Sequence, residues 1–477
     1  MDNISIKKAT MINAMAKYSQ IIFNIIFNII LARILSPNDY GIVAIITVFT
    51  TFFNILADMG LGPAVIQNKN LREKDISSIF AFSIYLAVTL AIIFSLLAFP
   101  ISIIYSSKVY LPLCWILSLS IAFNTLNMVP NALLLKDKLF KVVALRTIIT
   151  TICTSVIAVI LALLGFKYYS LVIQSVLNSF ITFLWNYKTV NIKFSVRVDN
   201  ESLKKVKDFS LFQFAFTLVN YLARNLDNLF IGTFMGSTAI AYYDKGYKLM
   251  QYPINNLTNV ITPVLQPILS DYQNNPEYIF KKYVKIVRIL SLIGVYISLC
   301  CFFMSKEIIL IMYGSQWYAA IPCFKWLSLS VWSQMLMSST GAIYQSLGKT
   351  KLLFKSGFIT AIVTVSSILF GLHKGTVSDV AFMILLAFSI NFVITFYLLI
   401  KKCFQLPLYD FFKLFKNDLI IGTMLCIVLY ISKRYISFNN SFISLIVNGT
   451  IGSAIYVVGL LITGEYRVFI KLIKKDV

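Results

Sequence analysis

Long apolar runs separated by short polar breaks are the dominant pattern along this chain. Most runs are about 20 residues long, which is the length of a helix that crosses a bilayer. Read in order, they predict about 14 membrane-spanning helices. The predicted spans are 11–33, 40–62, 76–99, 111–135, 142–164, 168–187, 208–232, 239–267, 284–304, 318–346, 354–372, 379–400, 417–434 and 442–463. The connections between them are short, so we expect no domain outside the membrane.

Composition agrees with that reading. Hydrophobic residues make up 58% of the 477 and charged residues 13%, with a mean hydropathy of +0.81, whereas about a quarter of a soluble chain is charged. The seven cysteines have no paired spacing and the single histidine is His373, so we predict no disulfide framework, metal site, cofactor or catalytic cluster. The first apolar run lacks a small-x-small cleavage site, which favours a retained span over a signal peptide.

Lysine and arginine predict the orientation. If the N-terminus is cytoplasmic, the inner connections hold thirty of the 42 basic residues and the outer ends hold seven. This asymmetry follows the positive-inside rule and predicts that both termini are cytoplasmic. The formal charge of +23 is then mostly a consequence of topology, and no nucleic-acid partner is needed to explain it.

Polar side chains recur at helical spacing on four predicted spans. The first span carries Asn13, Lys17, Gln20, Asn24 and Asn28, and the seventh carries Gln213, Thr217, Asn220, Arg224 and Asn228, each 200 positions later. The second span carries Thr47, Thr50, Asn54 and Asp58, and the eighth carries Lys248, Gln251, Asn255 and Asn259, each 201 positions later. Each set lies on one helix face. Because the offset spans an even number of helices, the repeat is parallel.

The repeat predicts how the chain is divided. "KDKLFK" at 136–141 precedes the fifth span, and "KTKLLFK" at 349–355 precedes the eleventh. We expect an all-α polytopic membrane protein with two homologous six-helix lobes. The predicted divisions are an N-lobe at 1–190, a basic cytoplasmic linker at 191–207, a C-lobe at 208–403, and two appended helices with a basic tail at 404–477.

The stripes allow two interpretations. Amides and hydroxyls on a membrane helix can simply hold helices together, but four stripes at one register favour a polar cavity shared by the lobes. The candidate substrate-binding residues are Lys17, Gln20, Asn24, Asn28, Asn54, Asp58, Asn220, Arg224, Asp227, Asn228, Lys245, Lys248, Gln251 and Asn255.

Several of these charges also have purely structural interpretations. Arg224 and Asp227 can neutralise each other along one helix. The lysines of the first and eighth spans can extend toward the membrane interface. Asp58 can be a polar end-group, and Asp244 can pair with Lys248, four residues later.

Two segments resemble a known family. "LARILSPNDYGIVAIITVFTTFFNILADMGLGPAVIQNKNLREKDISS" (31–78) and "YYDKGYKLMQYPINNLTNVITPVLQPILSDYQ" (242–273) are similar to Wzx-type polysaccharide flippases of the multidrug/oligosaccharidyl-lipid/polysaccharide exporter superfamily. The resemblance implies two lobes in a V that open alternately to either face. It also implies the cargo, an oligosaccharide on an undecaprenyl-pyrophosphate carrier that is flipped to the outer leaflet of the bacterial cytoplasmic membrane. In the related lipid II flippases a cationic cavity binds the pyrophosphate, and the match here is one of charge character.

Two other functions compete with a flippase for capsule, exopolysaccharide or O-antigen assembly. A drug or cation exporter of the same superfamily typically relies on acidic cavity residues, whereas the span interiors here are mainly basic. A polysaccharide polymerase or ligase needs catalytic groups on a sizeable outer loop, and the outer connections are short. We therefore expect a transporter and not an enzyme. We also expect a monomer in the bilayer, working beside polymerase and chain-length machinery.

The orientation can be tested with topology reporters. Alkaline phosphatase fused after Lys108 or Lys374 should be active, because both positions lie in connections predicted to be outside. Fusions after Lys205 or Lys475 should be inactive. The reverse pattern of activities would contradict the predicted topology.

Overall fold

The computed structural model describes the backbone of residues 6–473 apart from positions 69, 191, 194, 196, 271 and 437. Within that range it describes the side chains except at 6–18, 207–209, 211–213, 215–216, 219–220, 222–224, 259–268, 270, 350 and 471–473. Every regular element of this described chain is a helix. Two compact units are formed, Met1–Ala241 and Tyr242–Val477.

The helices follow the predicted spans closely. In chain order they begin with α1 (Ile6–Ile34), α2 (Pro37–Asp58), α3 (Leu61–Gln67), α4 (Glu73–Ile104), α5 (Tyr110–Lys136), α6 (Phe140–Leu163), α7 (Tyr168–Thr189), α8 (Asn200–Met235) and α9 (Ser237–Ser270). They continue with α10 (Pro276–Phe303), α11 (Ser305–Tyr313), α12 (Ile321–Leu329), α13 (Val331–Ser338), α14 (Thr340–Ser346), α15 (Thr350–Lys374), α16 (Val377–Phe396), α17 (Leu408–Lys413), α18 (Lys416–Tyr435), α19 (Ser441–Thr463) and α20 (Tyr466–Ile473).

The all-α polytopic fold class is confirmed. Among the described residues, nine helical stretches are long and apolar enough to cross a membrane: Pro37–Gln67, Glu73–Ile104, Tyr110–Lys136, Phe140–Leu163, Pro276–Phe303, Lys351–Lys374, Val377–Cys403, Leu408–Tyr435 and Ser441–Thr463. Ser19–Ile34 forms a shorter apolar helix. The count of 14 spans and the division into lobes at 190 and 208 stay predictions.

The predicted tenth span, 318–346, is broken into three short helices, α12 to α14. The breaks fall at Ser330 and Ser339. The Ser330 hydroxyl donates to the Leu327 carbonyl at 2.6 Å, and the Ser339 hydroxyl to the Leu336 carbonyl at 2.9 Å. Such bonds compete with the backbone ladder of a helix and bend it, which explains why one apolar run does not form one straight helix.

The start of α2 is fixed by its own sequence. The Ser36 hydroxyl accepts the Asp39 backbone N–H at 3.2 Å, and the Asp39 carboxylate accepts the Ser36 backbone N–H at 3.0 Å. Pro37 occupies the first turn, where its missing N–H costs no hydrogen bond. This capping box satisfies backbone donors that lipid cannot satisfy. The turn from α1 into α2 is therefore encoded locally.

In the first unit, α8 packs on α2, α3 and α4. An apolar cluster joins α8 to α3, α4 and α5, and in it Val65, Ile79 and Val129 are fully buried together with Val206 of α8. The sequence predicts α8 as the first helix of the second lobe, and in the structure it packs on helices that precede it in the first unit. The division into two homologous lobes stays a prediction.

A carboxylate at the start of α4 attaches α8. Asp75 is 4% exposed, and both of its oxygens accept from the Lys205 ammonium at 2.8 Å. The Ser202 hydroxyl donates to it at 2.7 Å, and the Arg72 backbone N–H at 2.9 Å. Charge-assisted bonds of this kind are roughly twice as strong as neutral ones. Asp75 thus joins the first turns of α4 and α8.

A second contact lies beside this one, in the connection that precedes α8. The Asp199 backbone N–H donates to the Ser78 hydroxyl at 2.7 Å. Asp199 also caps α8, since its carboxylate accepts the Glu201 backbone N–H at 3.2 Å. That bond, with Ser202 and Lys74, holds the pKa of Asp199 below its usual range. The carboxylate therefore stays ionised as the cap of α8 at neutral pH.

In the second unit, two ion-pair clusters fix the appended hairpin of α18 and α19. Arg288 on α10 donates to the Glu465 carboxylate and the Leu414 carbonyl, and its guanidinium lies 3.2 Å from Asp418. At the other end of the hairpin, Glu307 accepts from Lys433 at 2.5 Å and from Ser444 at 3.0 Å. The two helices predicted at 417–434 and 442–463 are thus bound at both ends to α10 and α11.

The role of Asp75 gives a stability prediction. Asp75→Asn should cost about 1–3 kcal/mol, because it removes the charge on which the Lys205 ion pair and the hydrogen bonds from Ser202 and Arg72 depend. The midpoint of thermal unfolding of the detergent-purified protein measures this.

Glu73→Gln is the matched control. Glu73 lies two residues away and pairs with Lys193 at 2.9 Å, but both side chains are about four-fifths exposed, so water screens the pair. Equal thermal midpoints for the two variants would show that Asp75 does not hold α8.

Candidate functional site

The polar stripe of α1 is described from Gln20 onward, since the side chain of Lys17 lies outside the described residues. Gln20, Asn24 and Asn28 are half-buried, and the Asn28 amide donates to the Asn24 carbonyl at 2.9 Å. The opposite face of the same helix is apolar and exposed, at Ile22, Ile26 and Ile30. The α1 helix therefore has one face suited to lipid and one face of amides.

The stripe of α2 makes contacts within the first unit. Asn54 accepts a hydrogen bond from the Asn124 amide of α5 at 3.2 Å, so at this position the stripe joins two helices. Asp58 is the last residue of α2 and is exposed. Its carboxylate interacts with the backbone N–H groups of Gly60 and Gly62, where the chain turns into α3. This geometry agrees with the interpretation of Asp58 as a polar end-group.

On α8 the structure describes part of the candidate stripe. The side chains of Asn220 and Arg224 lie outside the described residues, so their roles stay predictions. Asp227 is 7% exposed and accepts the Asn228 backbone N–H at 2.8 Å. The Asn228 amide oxygen is buried and has no hydrogen-bond partner among the described residues. A buried amide oxygen without a hydrogen bond costs free energy, and the role of Asn228 in binding stays a prediction.

The two lysines of α9 have different surroundings. Lys248 pairs with Asp244 at 2.7 Å, which confirms the expected i,i+4 pair, and it is 60% exposed. Lys245 is buried, with its ammonium 4.9 Å from the ring centre of Tyr313 and 5.6 Å from that of Trp317. Aromatic faces attract a cation at these distances. Lys248 is therefore the accessible cation of this helix, whereas Lys245 is enclosed by rings.

Further along α9, Gln251 and Asn255 also differ. The Gln251 amide donates to the Gln334 side chain of α13 at 3.3 Å, and Gln334 in turn donates to the Ser330 hydroxyl at 2.8 Å. Asn255 is exposed. Gln251 thus belongs to a hydrogen-bonded contact between two helices, and Asn255 is accessible from outside the unit.

Arg146 is one of the thirty basic residues that the positive-inside count places in inner connections. That placement is wrong, because the structure buries Arg146 in α6 at 8% exposure. Its guanidinium donates to amide oxygens of Asn131 on α5 and Asn186 on α7. The signal that could have shown this is the spacing of Arg146, Thr150 and Thr154, four residues apart on one helix face.

These side chains suit the binding of a polar, anionic molecule. Amides both donate and accept hydrogen bonds, as sugar hydroxyls require, and ammonium and guanidinium groups bind anions. Among the described residues, no group of three His, Cys, Asp or Glu is placed to hold a metal ion. The stripes of α1, α2 and α8 belong to the first unit and that of α9 to the second. Their convergence on one cavity stays a prediction.

Comparison with known proteins identifies the family. The profile of a family described as polysaccharide biosynthesis protein matches residues 30–322. The chain is 24% identical over 473 residues to an "uncharacterized membrane protein in cps region" of Klebsiella pneumoniae, covering 96% of this chain and 94% of that one. It is 22% identical to the succinoglycan biosynthesis transport protein ExoT of Rhizobium meliloti (strain 1021), covering 91% and 88%.

The fold comparison agrees with the sequence comparison. The structure superposes on the lipid II flippase MurJ, in an inward closed conformation, with a TM-score of 0.75 at 17% identity, covering 96% of this chain and 100% of that one. At this identity the likeness is one of fold. Together with the matched profile, it confirms the resemblance noted in the sequence. The chain therefore belongs to the polysaccharide biosynthesis protein family.

Proposed function

We propose that this protein is a flippase for lipid-linked oligosaccharides. It moves a repeat unit on undecaprenyl pyrophosphate from the inner to the outer leaflet of the bacterial cytoplasmic membrane, for capsule, exopolysaccharide or O-antigen assembly. One observation carries the proposal: the likeness to a polysaccharide transport protein and the likeness to a lipid II flippase fold each cover about nine-tenths of the chain or more. Both termini are cytoplasmic in this proposal.

The physical problem of such a transporter explains the polar stripes. A sugar that crosses hydrocarbon loses the hydrogen bonds of each hydroxyl, at a few kcal/mol for each group. Half-buried amides such as Gln20, Asn24 and Asn28 replace water as partners. The polyprenyl tail is apolar and can stay in lipid. The proposed cavity follows from the shared register of the four stripes along the chain.

The pyrophosphate requires cations. Lys248 is exposed on α9, and Arg224 occupies the α8 position that Asn24 fills in the first repeat. Arginine binds phosphate through two parallel hydrogen bonds, whereas lysine offers a point charge. We assign the pyrophosphate to these basic residues and the sugars to the amides.

Alternating access requires that α8 change its contacts during the cycle. Asp75 holds the first turn of α8 against α4 through Lys205 and Ser202. In the predicted topology these residues lie at the cytoplasmic end of the helices. We propose that this contact closes the cytoplasmic side of the transporter and is released when the cargo enters.

Export in a strain that lacks the gene tests the proposal. The deletion should leave lipid-linked saccharide at the inner leaflet, where a membrane-impermeant oxidant does not reach it in intact spheroplasts. Plasmid-borne wild-type protein should restore its exposure. An unchanged distribution between leaflets in the deletion strain would contradict the flippase function.

The same assay separates the two interpretations of Arg224. Arg224→Ala, alone or with Asp227→Ala, should stop export at normal protein levels, because a phosphate-binding charge is lost in both. Arg224→Lys should retain partial activity, since the charge remains without the two-pronged geometry. Arg467→Ala, at an exposed arginine of α20, is the control. Normal export by the double variant would show that Arg224 only neutralises Asp227.

Water access to the stripes is a separate test. Single cysteines at Asn24, Asn54, Asn228 and Asn255 should react with a water-soluble maleimide, because an aqueous cavity ionises their thiols. Cysteines at Ile26 or Leu229 should be protected by lipid or packing. Equal protection of both sets would show that the stripes only join helices.

A further inference from the structure

The charge of Arg146 has no counter-ion among the described residues. The side chain is 8% exposed, and no ion pair involves it in the described part of the chain. One terminal nitrogen, Nη1, donates to Asn186 at 2.7 Å and to Asn131 at 3.1 Å, and Nη2 donates to Thr147 at 3.2 Å. All three partners are neutral.

Two buried polar atoms beside these contacts are unsatisfied. Arg146 Nε and Thr150 Oγ1 have no hydrogen-bond partner among the described residues. Positions four apart on a helix lie on the same face, so the two unsatisfied donors are neighbours on α6. Nε also shares one edge of the guanidinium with Nη2, which has a second proton to donate. This edge is one of those with which arginine binds an anion bidentately.

A structural role alone does not explain this arrangement. A guanidinium stays charged in any protein environment, and burying it without an opposite charge carries a substantial desolvation penalty that neutral amides offset only in part. The same unit holds Asp75 against a lysine, and the second unit holds Arg288 against two carboxylates. Those charges contact groups of opposite charge, whereas Arg146 contacts no carboxylate among the described residues.

Arg146 lies near one end of its helix group. Arg146 lies six residues after the start of α6, about 9 Å along the helix. Its amide partners lie near the end of α5 and near the end of α7, so the cluster lies near one end of this helix group. Two exposed lysines lie at that end, Lys138 in the connection and Lys141 in the first turn of α6. Lysines at the mouth of a site raise the local concentration of anions.

We propose that Arg146 and Thr150 form an anion site that binds one phosphate group of a lipid-borne phosphate ester. The amide of Asn186 is fixed by its bond to Asn127, at 2.7 Å, so it holds Nη1 and leaves the Nε edge for the ligand. Two sources share this chemistry: the headgroup of an anionic phospholipid, and the pyrophosphate of the transported lipid. The second source rests on the proposed function, whereas the binding itself does not.

Thermal unfolding of the full chain, with and without anions, tests the site. In neutral detergent the probe is inorganic pyrophosphate, at an ionic strength held constant with sodium chloride. In lipid nanodiscs the comparison is phosphatidylglycerol against phosphatidylcholine. A ligand that binds the folded state raises the unfolding midpoint, so at least one probe should stabilise the wild type. Transport is not measured, so a failure of the proposed function does not affect the result.

Three variants assign the effect to Arg146. Arg146→Gln should raise the half-saturating concentration of the active probe at least tenfold, since the charge and the hydrogen-bonding edge are both lost. Asn131→Asp should raise the midpoint without anion and abolish the response, because a carboxylate beside Nη1 supplies the missing charge. Lys108→Gln, at an exposed lysine of the connection between α4 and α5, is the control and should keep the response.

The outcomes distinguish the two sources of the phosphate group from a purely structural role of Arg146. A response to pyrophosphate alone indicates the cargo, and a response to phosphatidylglycerol alone indicates the phospholipid. No response to either probe, or the same response in Arg146→Gln and wild type, would overturn the proposal and leave Arg146 as a clamp between helices. If Arg146→Gln does not fold, the Asn131→Asp variant decides between the two interpretations. If Arg146 is only a clamp between helices, the anion response of Asn131→Asp should equal that of the wild type.

Discussion

Lipid offers no hydrogen bonds, and this constraint explains most of what the structure does with polar groups. Three charges that the structure describes inside the units are held by other side chains in different ways. Arg288 is bound by two carboxylates, Lys245 is enclosed by Tyr313 and Trp317, and Arg146 is held by amides. The same constraint acts on the backbone, since the turn into α2 is closed by a capping box that leaves few free donors. The need to satisfy polar groups inside the protein therefore shapes both the helix ends and the surroundings of the buried charges.

The positions of the satisfied charges show which parts of the molecule are fastened together. Asp75 attaches α8 to α4, and the clusters around Arg288 and Glu307 attach the hairpin of α18 and α19 to α10 and α11. The appended hairpin is bound at both of its ends, so it is built as a fixed part of the second unit. The α8 helix is held near its start by the pair of Lys205 and Asp75 and by the apolar packing of Val206.

The unsatisfied groups carry the functional argument. The Asn228 oxygen, the Arg146 Nε atom and the Thr150 hydroxyl are buried without partners among the described residues. Natural proteins leave few such atoms, because each one costs free energy. In the proposed function and in the proposed anion site, a polar and phosphorylated ligand is the partner that we assign to them.

The sequence by itself determined the fold class, the positions of most helices and the family. Apolar runs of membrane length, the capping signal at Ser36 to Asp39, the i,i+4 pair of Asp244 and Lys248, and the segments 31–78 and 242–273 are all local patterns, so they can be read along the chain. Only the tertiary structure decided which helices the polar residues join. In the structure Arg146 is buried inside the first unit, and Asn54 contacts Asn124. Lys245 lies beside two aromatic rings, and residues 318–346 include three separate short α-helices. Burial and pairing depend on partners tens of residues away in the chain. A periodic pattern shows the face of a helix, but it does not show what that face meets.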